Sequence, residues 1–299
     1  MTELLLVPMP GNAATAEKIA AAVKGRVVEL AYRAFPDGES YLRFPESLSG
    51  RDIALVCTLD HPDPKIPPLL FAASTARELG ARRIGLIAPY LCYMRQDKQF
   101  HPGEAVTSRI FAALINEAFD WLVTLDPHLH RYKSLDRIYT IAARAVHAAP
   151  LLGQWIKQNV ANPYLIGPDA ESDQWVSQVA LACGAAYTVL RKERFGDRDV
   201  RIAPARLNPV GDATPVLLDD IISSGKTMQE ALRVIAPLFA HPPVIVAVHG
   251  LFVDGSDAKL TAAGARLVTT DSVLHPSNYI EIAGLLASAV EALARSSQP

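Results

Sequence analysis

The sequence predicts an α/β protein made of two doubly wound parallel-sheet domains. Short apolar runs alternate with segments of helical periodicity along both halves of the chain. The length of 299 residues suits two domains of about 150 residues each. Polar clusters repeatedly follow the apolar runs, so several should gather at the carboxyl ends of parallel strands, where such sheets bind their ligands.

In the first half, apolar runs predict strands, and Ala-rich or amphipathic segments predict helices. Phe35–Glu39 (FPDGE) has the composition of a turn. The predicted strands are Leu4–Val7, Val27–Leu30, Tyr41–Phe44, Ile53–Cys57, Ile84–Ala88 and Trp121–Leu125. The predicted helices are Asn12–Val23, Ile66–Leu79 and one that ends at Ala118.

The second half repeats this rhythm. We therefore expect an N-terminal domain over residues 1–146 and a C-terminal domain over residues 147–299, which includes a final helix over residues 279–294. The predicted strands are Tyr164–Ile166, Ala186–Leu190, Val216–Leu218, Val244–Val248 and Arg266–Thr269. The other predicted helices are Leu151–Gln158, Ser172–Ala182, Met228–Leu238 and Asp257–Ala263.

Bulk properties exclude several classes of protein. The net charge of −2 gives no basic excess for a nucleic-acid partner. No apolar run approaches the roughly 18–20 residues of a membrane span, and the N-terminus lacks the features of a signal peptide. Three widely spaced cysteines favour small core residues over disulfides or a zinc site. We expect a cytoplasmic protein with no membrane partner.

The segment Pro215–Thr227 (PVLLDDIISSGKT) has the pattern of a strand, a hydroxyl-rich turn and a helix start. Free N–H groups and the helix dipole make such a turn a phosphate cradle. The Asp219–Asp220 pair suits sugar hydroxyls or hydrated Mg²⁺. A P-loop is disfavoured because it requires a second glycine where this chain has Asp220. An ordinary strand-to-helix connection with polar caps is the plainer alternative.

Two clusters in the first half could bind a nucleotide. A purine could stack on Phe35, with Asp37 and Glu39 accepting hydrogen bonds; a surface turn is the alternative. Tyr93–Lys98 follows a strand and supplies Arg95 for phosphate oxygens, with Lys98 as a point charge. A solvated run of charges would look the same.

Three further clusters follow strands. Asp126–His130 carries two histidines that could ligate a metal, exchange protons or donate to phosphate, or be merely structural. Asp169 could hold Mg²⁺ or sit in a turn. In Arg191–Arg198, Lys192 and Arg194 could stabilise charge on a transferring phosphoryl group, or belong to a basic surface hairpin.

Together these segments resemble the ribose-phosphate diphosphokinase (PRPP synthetase) family over nearly the whole chain. The landmarks occur in family order: FPDGE (35–39), PYLCYMRQDK (89–98), PGEAVTSR (102–109), TLDPHLH (124–130), GPDAES (167–172), KER (192–194), DDIISSGKT (219–227) and VHG (248–250). The resemblance implies two domains of the type I phosphoribosyltransferase kind. It also implies Mg²⁺-dependent transfer of the diphosphoryl group of ATP to the 1-hydroxyl of ribose 5-phosphate, giving PRPP and AMP.

The same resemblance implies residue roles. It places ATP on Phe35, Asp37, Gly38, Glu39, Arg95 and Gln96, and links Mg²⁺ to His128 and Asp169. Lys192 is implied as the catalytic lysine, with Arg194 beside it. Ribose 5-phosphate is implied at Asp219, Asp220, Ser223, Ser224, Gly225, Lys226 and Thr227. ATP sites shared between subunits in the family imply a homo-oligomer, at least a dimer, with the Phe35–Glu39 turn reaching a neighbour.

The chain departs from the family pattern at several positions. Ser223-Ser224 replaces Asp-Thr, Lys226 replaces a frequent Gly, and Glu171-Ser172 replaces Gly-Gly. The loop 102–109 is nearer the archaeal-type branch. Three alternatives therefore stay open: a non-catalytic regulatory paralogue, a phosphoribosyltransferase that consumes PRPP, and a kinase of a modified ribose phosphate.

Overall fold

A computed structural model describes residues 3–129, 131–194, 200–203 and 211–295. The chain divides into two compact units. The first comprises Met1–Val146 and Ile282–Pro299, and the second comprises His147–Glu281. Each unit contains one six-stranded sheet and a separate two-stranded hairpin. The expected α/β fold with two parallel-sheet domains is confirmed.

In the first unit every pair of neighbouring strands in the large sheet is parallel, and the order is β2-β1-β5-β6-β7-β8. These strands are β1 Leu4–Pro8, β2 Arg26–Val27, β5 Asp52–Val56, β6 Arg83–Ala88, β7 Trp121–Leu125 and β8 Ala142–Val146. The hairpin pairs β3 Ala31–Ala34 with β4 Ser40–Arg43. The helices are α1 Ala13–Val23, α2 Ile66–Glu78 and α3 Thr107–Ala118, joined by a C-terminal helix from the end of the chain.

The second unit repeats the arrangement with the parallel order β10-β9-β13-β14-β15-β16. These strands are β9 Pro163–Gly167, β10 Ala186–Val189, β13 Thr214–Ile222, β14 Val244–Gly250, β15 Arg266–Thr270 and β16 Asn278–Ile280. The hairpin pairs β11 Arg191–Arg194 with β12 Val200–Ala203. The helices are α4 Ala149–Asn159, α5 Asp173–Cys183, α6 Lys226–Ile235 and α7 Ser256–Ala262.

The central strands are buried on both faces, which explains why they read as continuous apolar runs in the sequence. All seven residues of β14 are buried. Packing is close enough to require glycine at Gly85, because a Cβ there would lie 2.0 Å from the ring of Trp121 on the neighbouring strand. The free cysteines Cys57 and Cys183 are buried, as expected from their apolar surroundings in the sequence, and Cys92 is buried as well. Burial raises the pKa of the Cys57 thiol to about 12.

The final helix differs from the sequence prediction, which placed it over residues 279–294 in the C-terminal domain. Helix α8 spans Ala283–Arg295, and residues 278–280 instead form the edge strand β16 of the second sheet. Helix α8 packs on α1 and on the β7–β8 edge of the first unit, with Leu286 and Val290 fully buried. The apolar stripe of the helix predicts burial but does not say which sheet it covers.

Candidate active site

The second unit contains a topological switch point between β9 and β13. These strands are parallel neighbours, and their chain connections leave in opposite directions across the sheet, to β10 on one side and β14 on the other. A crevice opens at such a point beyond the carboxyl ends of the strands. Asp169 follows β9, and Asp219 to Gly225 lie at the end of β13 and directly after it. The fold therefore brings these sequence-predicted residues to one edge.

Asp169 begins a short 3₁₀ turn formed by Ala170–Ser172. Its Oδ1 accepts a hydrogen bond from the N–H of Glu171 at 3.1 Å, and its carbonyl oxygen accepts one from Ser172 Oγ at 2.6 Å. Glu171 and Ser172 are the residues that replace a glycine pair in the family pattern. The hydroxyl of Ser172 stabilises the turn that presents Asp169.

The aspartate pair lies within β13, whereas the sequence predicted that it follows the strand. Pairing with β14 continues through Ile222, with Asp219 opposite Ala247. The N–H of Asp220 donates to Asp219 Oδ1 at 3.0 Å. Burial raises the pKa of Asp219 well above its ordinary value, and Asp220 and Asp169 raise it further by charge. This edge therefore concentrates negative charge that sugar hydroxyls or a cation would stabilise.

The turn after β13 leads directly into α6. Gly225 has a left-handed backbone with φ of +67°, and a Cβ there would lie 2.9 Å from Ser256 Cβ. Helix α6 begins at Lys226, and the N–H of Gln229 donates to the carbonyl oxygen of Gly225 at 2.8 Å. The N–H groups of the first turn have no acceptor inside the helix, which is the arrangement that binds anions. Lys226 is exposed and Thr227 is half-buried.

The β14–α7 connection holds this turn from one side. Ile222 O accepts from the N–H groups of Leu251 and Phe252 at 2.9 and 3.1 Å. Ser223 O accepts from Val253 N–H at 3.1 Å and from Ser256 Oγ at 2.9 Å. In a trans peptide the N–H points opposite to the carbonyl, so the N–H groups of Ser223 and Ser224 point away from that connection. The sequence does not single out Ser256, because no motif around it indicates a contact with this turn.

The first unit has a switch point of its own, between β1 and β5, and it is closed by a side chain. Asn12 is buried; its Oδ1 accepts from Thr58 N–H at 2.8 Å, and its Nδ2 donates to Pro10 O at 3.0 Å. These bonds occupy the ends of both strands. The two units therefore differ at their switch points.

In the first unit, Arg95 and Gln96 follow β6, with Arg95 exposed and Gln96 half-buried. Gln96 O accepts from Ser108 N–H at 3.3 Å. Just before them, Tyr93 has a left-handed φ of +61°, and its hydroxyl hydrogen-bonds to the Asp63 carboxylate. Burial and this bond raise the pKa of Tyr93 to about 12. These contacts fix Tyr93 and the carbonyl of Gln96, whereas Arg95 and Lys98 are exposed.

His128 follows β7 in a strained segment. Asp126 and His128 have φ values of +33° and +53°, and His128 N–H donates to Asp126 O at 2.8 Å. Non-glycine residues in this region cost about 1–3 kcal/mol and tend to cluster at functional sites. His130, the second histidine of the motif, lies outside the described residues.

The Phe35–Glu39 segment is the tip of the β3–β4 hairpin. Phe35 N–H donates to Glu39 O at 2.7 Å, and Glu39 N–H donates to Asp37 Oδ1 at 3.2 Å. Gly38 has φ of +92°, which favours glycine at this turn. Phe35 is 38% exposed, and the Arg33 guanidinium lies 4.4 Å from the centroid of its ring. The tip presents an aromatic face beside two carboxylates.

Lys192 and Arg194 lie on β11, opposite Ile202 and Val200 of β12. Their side chains and the connection over residues 195–199 lie outside the described part of the structure.

Among the described residues, no three His, Cys, Asp or Glu side chains form a group that could hold a metal ion by themselves. Mg²⁺ is commonly held by one or two carboxylates, with substrate phosphates and water completing its shell. The hard oxygen donors at the β9–β13 edge fit that pattern. Within the same described residues, no helix combines the length and apolar character needed to span a bilayer.

Comparison with known proteins identifies the family. The N-terminal domain of ribose phosphate pyrophosphokinase matches residues 4–118, and the phosphoribosyl transferase domain matches residues 134–262. A ribose-phosphate pyrophosphokinase of Methanopyrus kandleri is 34% identical over 262 residues, covering 87% of this chain and 89% of that protein. The chain belongs to the ribose-phosphate pyrophosphokinase family. As a member of that family it is a transferase of the kinase type.

Other relatives agree with this assignment. The ribose-phosphate pyrophosphokinase of Saccharolobus solfataricus is 32% identical over 253 residues, covering 83% of this chain and 85% of that protein. The crystal structure of phosphoribosylpyrophosphate synthetase from Mycobacterium smegmatis has a TM-score of 0.85 at 24% identity and covers 99% of this chain and 100% of that one. The structural likeness supports the two-domain phosphoribosyltransferase-type fold.

Proposed function

We propose that this family member transfers the diphosphoryl group of Mg-ATP to the 1-hydroxyl of ribose 5-phosphate, giving PRPP and AMP for nucleotide biosynthesis. The observation that carries the proposal is the β13–α6 turn at the β9–β13 switch point. It combines first-turn N–H groups suited to a phosphate with carboxylates suited to sugar hydroxyls. One sugar phosphate satisfies both ends of this site.

The 5-phosphate is assigned to the turn and the start of α6. Its oxygens accept from backbone N–H groups and from the side chains of Ser223, Ser224, Lys226 and Thr227. Gly225 adopts a φ of +67°, which favours glycine, and without a side chain it lets the phosphate approach the backbone closely. The carboxylates of Asp219 and Asp220 accept from the ribose hydroxyls, which removes part of the penalty of burying two like charges.

ATP is assigned to the first unit. Its adenine stacks on the exposed face of Phe35, with Asp37, Gly38 and Glu39 binding the base or ribose. Arg95 and Gln96 contact the phosphate chain. The exposed hairpin tip supports an ATP site completed by a second copy of the chain, so we expect at least a homodimer, which light scattering on the purified protein would test.

In the reaction, the 1-hydroxyl oxygen of ribose 5-phosphate attacks the β-phosphorus of ATP. The bond between that phosphorus and the oxygen joining it to the α-phosphorus breaks, AMP leaves, and the hydroxyl proton is released. Positioning and charge neutralisation supply the rate enhancement, with Lys192 and Arg194 stabilising the transferring group. Asp169 and His128 are the positions assigned to Mg²⁺, which when bound neutralises charge on the phosphates.

The direct test is formation of AMP and PRPP by the purified protein from ATP, ribose 5-phosphate and Mg²⁺, with and without inorganic phosphate. We expect both products in equal amounts under both conditions. Binding of ribose 5-phosphate without turnover would contradict the proposal and favour a regulatory protein. Loss of PRPP that depends on an added base would instead indicate a phosphoribosyltransferase.

A further inference from the structure

An ion pair ties together two loops of the first unit that follow neighbouring strands. Arg131 Nη1 lies 2.6 Å from Asp97 Oδ1. The Asp97 side chain is 4% exposed, whereas that of Arg131 is 46% exposed. Asp97 directly follows Arg95 and Gln96 after β6, and Arg131 lies three residues beyond His128 after β7. The pair therefore connects the segment assigned to ATP with the segment assigned to Mg²⁺.

Further contacts reinforce this connection. Tyr132, next to Arg131, donates from its hydroxyl to Asp97 O at 3.4 Å, and Arg109 Nε donates to the same hydroxyl at 3.3 Å. The Arg131 guanidinium also lies 5.7 Å from the ring centroid of Phe100. Arg131 and Tyr132 thus hold Asp97 by its side chain and its main chain.

Burial of Asp97 makes this pair consequential. Arg131 is half exposed, but the Asp97 carboxylate is buried, and a buried carboxylate that loses its charged partner destabilises its surroundings. Without Arg131, the chain would be expected to turn Asp97 toward water. That rotation would displace Gln96, its neighbour, whose carbonyl is fixed to the start of α3 through Ser108.

We propose that Arg131 is a positioning residue for the nucleotide: it fixes Arg95 and Gln96 in their binding geometry through Asp97. The inference rests on the proposed function, which assigns ATP to those two residues. Arg131 directly follows the TLDPHLH segment (124–130) and lies outside the segments on which the family resemblance rests.

The test compares Arg131→Met, Arg131→Lys and Asp97→Asn with the wild type. Arg82→Met is the matched control, because Arg82 also pairs with an aspartate of the first unit, Asp52 at 2.8 Å. That pair lies at the amino ends of β5 and β6, whereas Asp97 and Arg131 follow the carboxyl ends of β6 and β7. We expect Arg131→Met and Asp97→Asn to raise the KM for ATP by about tenfold or more, with the KM for ribose 5-phosphate unchanged. Arg131→Lys should recover part of the loss, because it keeps the positive charge but not the planar guanidinium.

A second readout does not depend on turnover. Hydrogen exchange of the amides over residues 95–104 should accelerate in Arg131→Met and Asp97→Asn but not in Arg82→Met. The double variant Asp97→Asn/Arg131→Met should be no worse than the poorer single variant, since both remove one interaction. Equal rises of both KM values, or unchanged exchange over 95–104, would overturn the inference. If the wild type makes no PRPP, faster exchange together with weaker ATP binding would still support it.

Discussion

Ser256 Oγ donates a hydrogen bond to the carbonyl oxygen of Ser223 across 2.9 Å. The Cβ of the same serine lies 2.9 Å from the point that a Cβ on Gly225 would occupy. Ser256, at the start of α7, thus packs directly against the turn between β13 and α6. Its contacts keep the carbonyl of Ser223 directed away from the proposed phosphate site.

Gly225→Ala should disrupt this turn by pushing it away from Ser256. We expect the KM for ribose 5-phosphate to rise by about tenfold or more, because the first-turn N–H groups bind phosphate only when they point at its oxygens together. Gly184→Ala is the control. Gly184 has a similar φ of +73°, but a Cβ added there would have no atom within 4 Å. Both variants should lose about 1 kcal/mol of stability from backbone strain, but only Gly225→Ala should change steady-state kinetics. A normal KM in Gly225→Ala would contradict the assigned site.

Asp219→Asn should separate stability from binding. The folded protein raises the pKa of Asp219 above its ordinary value of 3.8, so ionised Asp219 destabilises the fold at neutral pH. Removing that charge should raise the melting temperature by roughly 2–4 °C per kcal/mol recovered, measured without Mg²⁺ or substrate.

The same variant should bind ribose 5-phosphate about tenfold more weakly, because the amide replaces a charged acceptor. Asp173→Asn is the control. The exposed carboxylate of Asp173 lies in the first turn of α5 and interacts favourably with the helix dipole, so its loss should lower stability slightly. A lower melting temperature for Asp219→Asn in metal-free buffer would show that its charge is stabilised by groups beyond the acidic cluster.

Phe35→Ala should weaken ATP binding and leave ribose 5-phosphate binding unchanged. Stacking of a base on an aromatic ring contributes about 1–3 kcal/mol, so the KM for ATP should rise by at least fivefold. Phe35→Tyr should keep the stack. Phe71→Ala, which removes an exposed ring on α2, is the control. Equal effects of Phe35→Ala and Phe71→Ala would remove the hairpin tip from the nucleotide site.

Lys192→Ala should lower kcat by about 10²–10⁴ with a modest change in the KM for ribose 5-phosphate, as expected of a cation that acts on transition-state charge. Lys157→Ala, which removes an exposed lysine from α4, serves as the control. Single-turnover rates would separate chemistry from product release. An unchanged kcat in Lys192→Ala would take this lysine out of the mechanism.

Much of this organisation follows from local sequence. The apolar run Val216–Leu218 predicts the strand, and the glycine and hydroxyl residues after it predict the turn, because these are properties of neighbouring residues. The predicted end of that strand at Leu218 is wrong, because pairing with β14 carries β13 through Asp219 and Asp220. A polar residue at a strand end does not reveal whether the ladder continues.

Other features depend on contacts that no local pattern encodes. Ser256 meets Ser223 across 33 residues of chain, and Arg131 meets Asp97 across 34. The final helix has an apolar stripe whichever sheet it covers. Its place in the first unit therefore cannot be predicted from its own sequence. The closure of the first switch point by Asn12 is likewise tertiary, since one asparagine after a Pro-Gly turn has many possible partners.

The measurement that tests the central claim most directly follows the β-phosphorus of ATP. The purified protein would be incubated with Mg²⁺, ribose 5-phosphate and ATP labelled at the β-phosphorus, and the products separated. Transfer of the diphosphoryl group predicts that all of the converted label enters PRPP and that the AMP formed is unlabelled. Label in ADP, with an unlabelled sugar bisphosphate as the other product, would show transfer of the γ-phosphoryl group alone and contradict the account.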